Sequence, residues 1–386
     1  MKPFPKSLSQ KLQQRKANAA FRQLSDTNDL IDFSSNDYLG FAKSETIFDA
    51  THQYLLDRNI KINGATGSRL ISGNHKVYQE TENYIAQFHQ SEAALIFNSG
   101  YDANVGFFSA VPQRNDIILY DELSHASIRD GILMSHSKAY KFDHNDFDDL
   151  EKLIIRHQPK TDSRQLTTIY IVTESVFSMD GDSPNLEELA QLCKKYNCYL
   201  VIDEAHALGV FGEKGEGLIQ NMGLQDQVFA RIMTFGKGLG CHGAVILGST
   251  ELKNYLVNFA RSFIYSTGLS PHAVATILVG YQQLKIQKEA LHTLRENINH
   301  FNQEKSILGL KPLFVRSKSS IQSAIIPGNE NVKTIANQMQ EKGFDVKAIL
   351  SPTVLEGQER LRICLHSYNA KEEITAVLQN LVQLLF

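Results

Sequence analysis

Six short runs along this chain are apolar almost without interruption: AALIFNS (93–99), DIILYDE (116–122), TTIYIVTES (167–175), CYLVIDE (198–204), ARIMTF (230–235) and GAVILGS (243–249). A strand with one wet face alternates apolar and polar residues, whereas a strand covered on both faces reads as a continuous apolar run. Stretches with helical spacing lie among these runs, at 78–90, 101–111, 146–157 and 185–197. Strands alternating with helices fold into a parallel sheet with helices packed above and below. The pattern therefore predicts an α/β domain with a mainly parallel sheet, spanning roughly 45–275.

Beyond a long helical stretch at 270–305 the pattern changes. SAIIPG (323–328), FDVKAI (344–349) and RLRICLHS (360–367) read as strands separated by helices at about 331–342 and 370–385. This predicts a smaller C-terminal α+β domain, residues 276–386, with residues 1–44 as an N-terminal helix and substrate-entrance segment. No internal repeat or low-complexity tract interrupts the scheme.

With 386 residues, 42% hydrophobic and 21% charged, the chain can bury a large core and has a globular balance. A net charge of −3 offers no electrostatic case for nucleic acid. No apolar run approaches the length of a membrane span. The start, MKPFPKSLSQKLQQRKANAAFRQL, lacks a signal-peptide core and reads as an exposed helix bearing Lys and Arg, a solvated face. Cys193, Cys198, Cys241 and Cys364 have no CxxC spacing and read as small buried hydrophobes in a reducing cytosol, so a cytoplasmic location is expected.

The run ending in Asp203-Glu204-Ala205-His206 resembles a Walker B strand, and DEAH is the signature of a helicase class. A Walker B strand needs a P-loop. The only Gly-Lys pair, in TFGKGLG (234–240), lacks both the following Ser/Thr and the earlier glycine, which removes the ATP-motor reading. Asp203 and His206 could ligate a metal, but they supply two positions and no third ligand is evident, so no metal is expected. In open parallel sheets, ligands bind at the carboxyl ends of strands, and Asp203 and His206 occupy such an end. Lys237 follows the next run and is ringed by glycines. Its amine can bond to an aldehyde cofactor, as pyridoxal phosphate enzymes require. Asp203 suits the pyridine nitrogen, His206 can reach the phenolic oxygen, and Asn98-Ser99-Gly100-Tyr101 offers a helix start for phosphate.

The ordered set FSSNDYLG (33–40), TGSRLISGN (66–74), SGYDAN (99–104), DELSHAS (121–127), TESVFSMDGD (173–182), VIDEAHALGVFGEKGEG (201–217), TFGKGLG (234–240) and FIYST (263–267) resembles the α-oxoamine synthases, most of all their biotin-pathway branch. These are fold-type I pyridoxal phosphate enzymes that condense an amino acid with an acyl-CoA and release CO2. The resemblance runs from about residue 12 to the C-terminus. It implies that Lys237 carries the cofactor, Asp203 faces its ring nitrogen, His206 and Ser178 meet its phenolic oxygen, and His125 stacks on the ring. It places Gly100, Tyr101 and Thr234 at the phosphate and cofactor, with Ser266 and Thr267 offered by a second subunit, hence a homodimer with shared active sites. Arg22, Asn36, His125, Thr353 and Arg362 fall at substrate contacts. The segment at 25–29, near the expected acyl-CoA entrance, is shorter than in many relatives.

Plainer readings stand beside these. His125 could be no more than a residue at a helix start after a Ser124 cap. Arg360 and Arg362 alternate with Leu361 and Ile363, so either could be the polar face of a strand. Gly212–Gly217 reads as a turn, and His52, His75, His89, His144 and His366 as structural. An aminotransferase of the same fold is the competing activity, and a binding scaffold would have no use for Lys237. The amino acid (alanine, glycine or serine) and the acyl chain stay open.

Overall fold

The computed structural model describes residues 2–24, 29–158 and 167–386. The short entrance segment, apart from Asp29, lies outside the described residues. By internal contacts the chain forms two units, Asn36–Ser178 with Ser183–His292, and Met1–Ser35 with Met179–Asp182 and Thr293–Phe386.

The larger unit is built on seven strands: β1 (Ala93–Phe97), β2 (Ile117–Asp121), β3 (Lys138–Phe142), β4 (Ile169–Glu174), β5 (Tyr199–Asp203), β6 (Ala230–Thr234) and β7 (Ala244–Gly248). They lie in the order β1-β7-β6-β5-β4-β2-β3. The pairings from β6 through β3 are parallel, while β7 runs antiparallel to both β1 and β6. The apolar runs feed two cores through the two-residue strand period. Leu95, Ile118, Val172, Val201 and Ile232 pack on one face with Phe107, Phe108 and Ile128. Leu119, Ile171, Leu200 and Ile202 pack on the other with Leu150, Ile154, Leu186 and Leu189. Strand β3 had no counterpart among the expected strands: among the described residues it pairs only with β2, at the sheet edge, and Lys138 and Lys141 are exposed. The helical stretch expected at 270–305 is two helices, Pro271–Ile286 and Lys288–Ile307, parted where Gln287 leaves the helical region at φ −81, ψ 70.

The smaller unit carries an antiparallel sheet of β8 (Ile321–Ile325), β9 (Lys347–Ile349) and β10 (Arg360–Cys364), in the order β9-β10-β8. The expected strand 344–349 divides at buried Val346. Phe344–Asp345 pairs in parallel with Ile31–Asp32, and Lys347–Ile349 pairs with β10. Rows Lys347–Arg362–Ser323 and Ile349–Arg360–Ile325 run across one face, and Leu361 and Ile363 are fully buried on the other. The Met179–Asp182 tetrapeptide is clamped to this unit. Ser323 Oγ donates to Met179 O at 2.6 Å, and the Ser317 and Ser319 hydroxyls donate to Gly181 O at 2.8 and 2.9 Å. Gly181 has φ +73°, and a Cβ there would stand 2.2 Å from Ile321 O, so no other residue fits. The Lys6–Ala17 helix buries none of its residues. Among the described residues no helix is long and apolar enough to cross a membrane.

Candidate active site

Two hydrogen-bonded chains meet at the carboxyl ends of β4, β5 and β6. Asp203 ends β5 and is buried. Its Oδ1 accepts the Ala205 N–H at 2.9 Å and its Oδ2 accepts Asn104 Nδ2 at 2.8 Å. Asn104 Nδ2 also donates to Ser127 Oγ at 3.0 Å, and Ser127 Oγ lies 2.7 Å from His125 Nδ1. His125 heads the Ala126–Met134 helix, with the Ser127 N–H donating to Nδ1 at 3.2 Å. The cap is thus His125 itself rather than Ser124. The imidazole is exposed yet walled by protein, and desolvation holds its pKa below the usual histidine value, opposed by Asp203 and aided by Lys237.

The second chain begins at Lys237, in the loop after β6. Its Nζ lies 2.5 Å from His206 Nε2, His206 Nδ1 lies 2.6 Å from the Tyr38 hydroxyl, and Tyr38 donates to Asn36 Oδ1 at 3.2 Å. An ammonium at Lys237 donates to Nε2, which puts the His206 proton on Nδ1 and directs it to Tyr38. The loop reaches His206 because Gly238 packs against the chain that follows it: a Cβ at 238 would stand 2.3 Å from Leu208 O.

Glu174 ends β4 opposite Asp203 and is buried. Its Oε1 accepts the His125 N–H at 2.6 Å. Burial first, then the Asp203 charge, pushes its pKa well above the carboxylate range, so the acid form is favoured. Glu204, the second residue of the Asp-Glu-Ala-His run, turns away from this chemistry. It takes a buried ion pair from Arg231 Nε at 3.0 Å and the Ile219 N–H at 3.0 Å.

A third group surrounds a helix start. Ser99 caps Gly100–Ala110, its Oγ accepting the Asp102 N–H at 3.0 Å, so the first N–H groups of the helix face outward. A Cβ at Gly100 would stand 3.4 Å from Thr234 Cβ. Thr234 Oγ1 donates to Gly243 O at 3.2 Å, and Asn98 Nδ2 donates to Thr267 O at 2.7 Å next to Ser266. Exposed Tyr101 donates its hydroxyl to Asp130 Oδ2 at 2.5 Å, a bond that raises its pKa. Ser178 lies four residues past the end of β4.

Of the five residues expected at the substrate, Asn36 joins the Lys237 chain and His125 the Asp203 chain. The smaller unit holds the other three: Arg22 donates to Thr353 Oγ1 at 3.1 Å, and Arg362 lies buried in β10. Tyr38, Asn104, Ser127 and Glu174 were not singled out from sequence, although all four lie inside or beside the quoted motifs. Among the described residues no cluster of His, Cys, Asp or Glu suits a metal.

The donor set fits pyridoxal phosphate: an amine for its aldehyde, a buried carboxylate for its ring nitrogen, and a helix start for its phosphate. The profile of the aminotransferase class I and II family matches residues 28–381. The 8-amino-7-oxononanoate synthase of Emericella nidulans is 39% identical over 370 residues, covering 91% of this chain and 88% of that one. A putative 8-amino-7-oxononanoate synthase of Halalkalibacterium halodurans is 35% identical, covering 95% and 93%. Among solved structures, the 8-amino-7-oxononanoate synthase of Francisella tularensis superposes with a TM-score of 0.76 at 27% identity, over 92% of this chain and 98% of that one. The serine palmitoyltransferase of Sphingomonas wittichii gives 0.88 at 24% identity over 99% and 98%, a likeness of fold alone. The chain therefore belongs to the class I and II aminotransferase family and, within it, to the 8-amino-7-oxononanoate synthases.

Proposed function

We propose that this enzyme uses pyridoxal phosphate to condense L-alanine with pimeloyl-CoA, giving 8-amino-7-oxononanoate, CoA and CO2 in biotin biosynthesis. The observation that carries the reading is the placement of the Lys237 amine, in the loop after β6, and the Asp203 carboxylate, at the end of neighbouring β5, in a chain 39% identical to an 8-amino-7-oxononanoate synthase. When bound, the cofactor withdraws electrons from the α-carbon of the amino acid, so that bonds to that carbon break heterolytically.

The chain's residues divide the remaining work. Lys237 Nζ would hold the cofactor and would serve as the base for the proton on the α-carbon. The Asp203 charge keeps the ring nitrogen protonated, and His206 with Ser178 holds the phenolic oxygen. His125 would face the ring and the substrate. Gly100, Tyr101 and Thr234 bind the phosphate side, joined by Ser266 and Thr267 of a second copy of the chain, which makes the working form a homodimer in the cytoplasm. Arg22, Asn36, Thr353 and Arg362 hold the substrates. Arg362, a planar guanidinium on β10, is the fork for the amino-acid carboxylate.

The test is thiol and CO2 release from a panel of amino acids and acyl-CoAs. L-alanine with pimeloyl-CoA should be the preferred pair. Preference for serine or glycine would move the enzyme to another branch of the α-oxoamine synthases. Transfer of the amino group to a keto acid without thiol release would make it an aminotransferase.

A further inference from the structure

The bonds around His125 fix more than its position. Both oxygens of the Asp203 carboxylate are acceptors, so the Asn104 atom 2.8 Å from Oδ2 must be the amide nitrogen. The second hydrogen of that nitrogen goes to Ser127 Oγ at 3.0 Å. Ser127 Oγ accepts that hydrogen bond and directs its own O–H to the atom 2.7 Å away, His125 Nδ1. The Ser127 main-chain N–H points at the same nitrogen from 3.2 Å. Two donors converge on Nδ1, so Nδ1 is an acceptor and carries no proton. Asn104 and Ser127 are both buried, so water does not compete for these bonds.

We infer that Asn104 and Ser127 are positioning residues that lock His125 as the tautomer protonated on Nε2, through an unbroken chain of hydrogen bonds from Asp203. The consequence is chemical. His125 then offers the substrate an N–H donor from Nε2, suited to a carbonyl or carboxylate oxygen. To become an imidazolium it must give up the bond from the Ser127 main-chain N–H and turn the Ser127 hydroxyl from donor to acceptor, which opposes protonation. The other charges facing the ring are Asp203 and Asp130, which favour the cation, and Lys237 and Arg129, which oppose it. Glu174 holds only the main-chain N–H of His125.

The inference rests on the proposed function for what His125 does, but not for its tautomer, which can be read without substrate. The experiment is a long-range proton–nitrogen correlation spectrum of the holoenzyme labelled with [15N]histidine, with the His125 pattern identified by its loss in His125→Asn. The expected pattern is a single Nε2–H tautomer at neutral pH. Ser127→Ala should turn it into a mixture and move the acidic limb of the kcat/KM profile up by about one pH unit, the size of one lost hydrogen bond. Ser127→Thr, which keeps the hydroxyl, should restore both. A purely structural role would lower the Tm of Ser127→Ala and leave the tautomer and the acidic limb unchanged, which overturns the inference. An Nδ1–H or imidazolium pattern in the wild-type protein overturns it as well, even if Ser127→Ala does not fold. Absence of thiol release with every substrate pair, beside an intact Nε2–H pattern, would sink the proposed function and leave this inference standing.

Discussion

Arg360 and Arg362 share a face of β10, and the structure separates what each should do when changed. Arg360 is buried, its guanidinium paired with Asp180 and its Nε donating to Gln358 O at 2.9 Å. Asp180 lies in the tetrapeptide that Ser317, Ser319 and Ser323 also clamp. Arg360→Met removes the cation from a buried pair with Asp180, a change that costs about 3–5 kcal/mol. Arg362→Lys keeps the charge and loses the planar fork. If that fork grips the amino-acid carboxylate, the loss is that of a charged hydrogen bond, about 1.5–3 kcal/mol, or roughly 10- to 150-fold in amino-acid affinity. Titrating holoenzyme with L-alanine by cofactor absorbance, beside thermal melts, separates the two. Arg362→Lys should bind alanine weakly once folded, and Arg360→Met should melt early and bind alanine normally once folded. Weak binding in the Arg360 variant with normal binding in Arg362→Lys would mean the wrong arginine was chosen. Normal binding in both would remove the carboxylate grip from β10.

Borohydride treatment of the purified yellow protein followed by peptide mapping should leave the cofactor on Lys237, and an adduct on another lysine would overturn that role. Asp203→Asn should retain cofactor yet lose most turnover, because the amide carries no charge to hold the ring nitrogen protonated; near-normal turnover would move that role elsewhere. Tyr38→Phe removes the hydroxyl 2.6 Å from His206 Nδ1 and should lower kcat; an unchanged kcat would detach Tyr38 from the Lys237 chain. Lys305 is buried against Phe301 and Phe314 with Gln322 Oε1 at 3.0 Å, and burial lowers its amine to about 8. The unfolded chain then binds the proton more tightly, so this group makes stability rise with pH between about 8 and its ordinary 10.5. Lys305→Met should raise the Tm at pH 7, with a gain that shrinks as the pH rises from about 8 to 10.5; a lower Tm at pH 7 would show that the Gln322 and ring contacts outweigh desolvation.

The six apolar runs became six of the seven strands of the large sheet because burial on both faces leaves a signal in every residue. The seventh, Lys138–Phe142, sits at an edge where exposed lysines discourage pairing with other chains, and that protection erases the apolar pattern. The divisions at Val346 and Gln287 were equally silent, since neither has a glycine or proline to mark it. Asp203, His206 and Lys237 stood out because few tasks call for those side chains at strand ends. Tyr38 and Asn104 did not, because an ordinary tyrosine or asparagine gains its role only from a partner distant in sequence, 168 residues away for His206 and 99 for Asp203. Glu174 was hidden differently: its neighbour across the sheet, Asp203, is visible only once the register of β4 and β5 is known.

The central claim is that the Lys237 and Asp203 pairing serves a decarboxylative condensation. Simultaneous measurement of CoA thiol and CO2 from L-alanine and pimeloyl-CoA tests it most directly. The account predicts that both appear together in equal amounts with wild-type protein, and that neither appears with Lys237→Ala. Thiol without CO2, or either product at wild-type rates from Lys237→Ala, would contradict it.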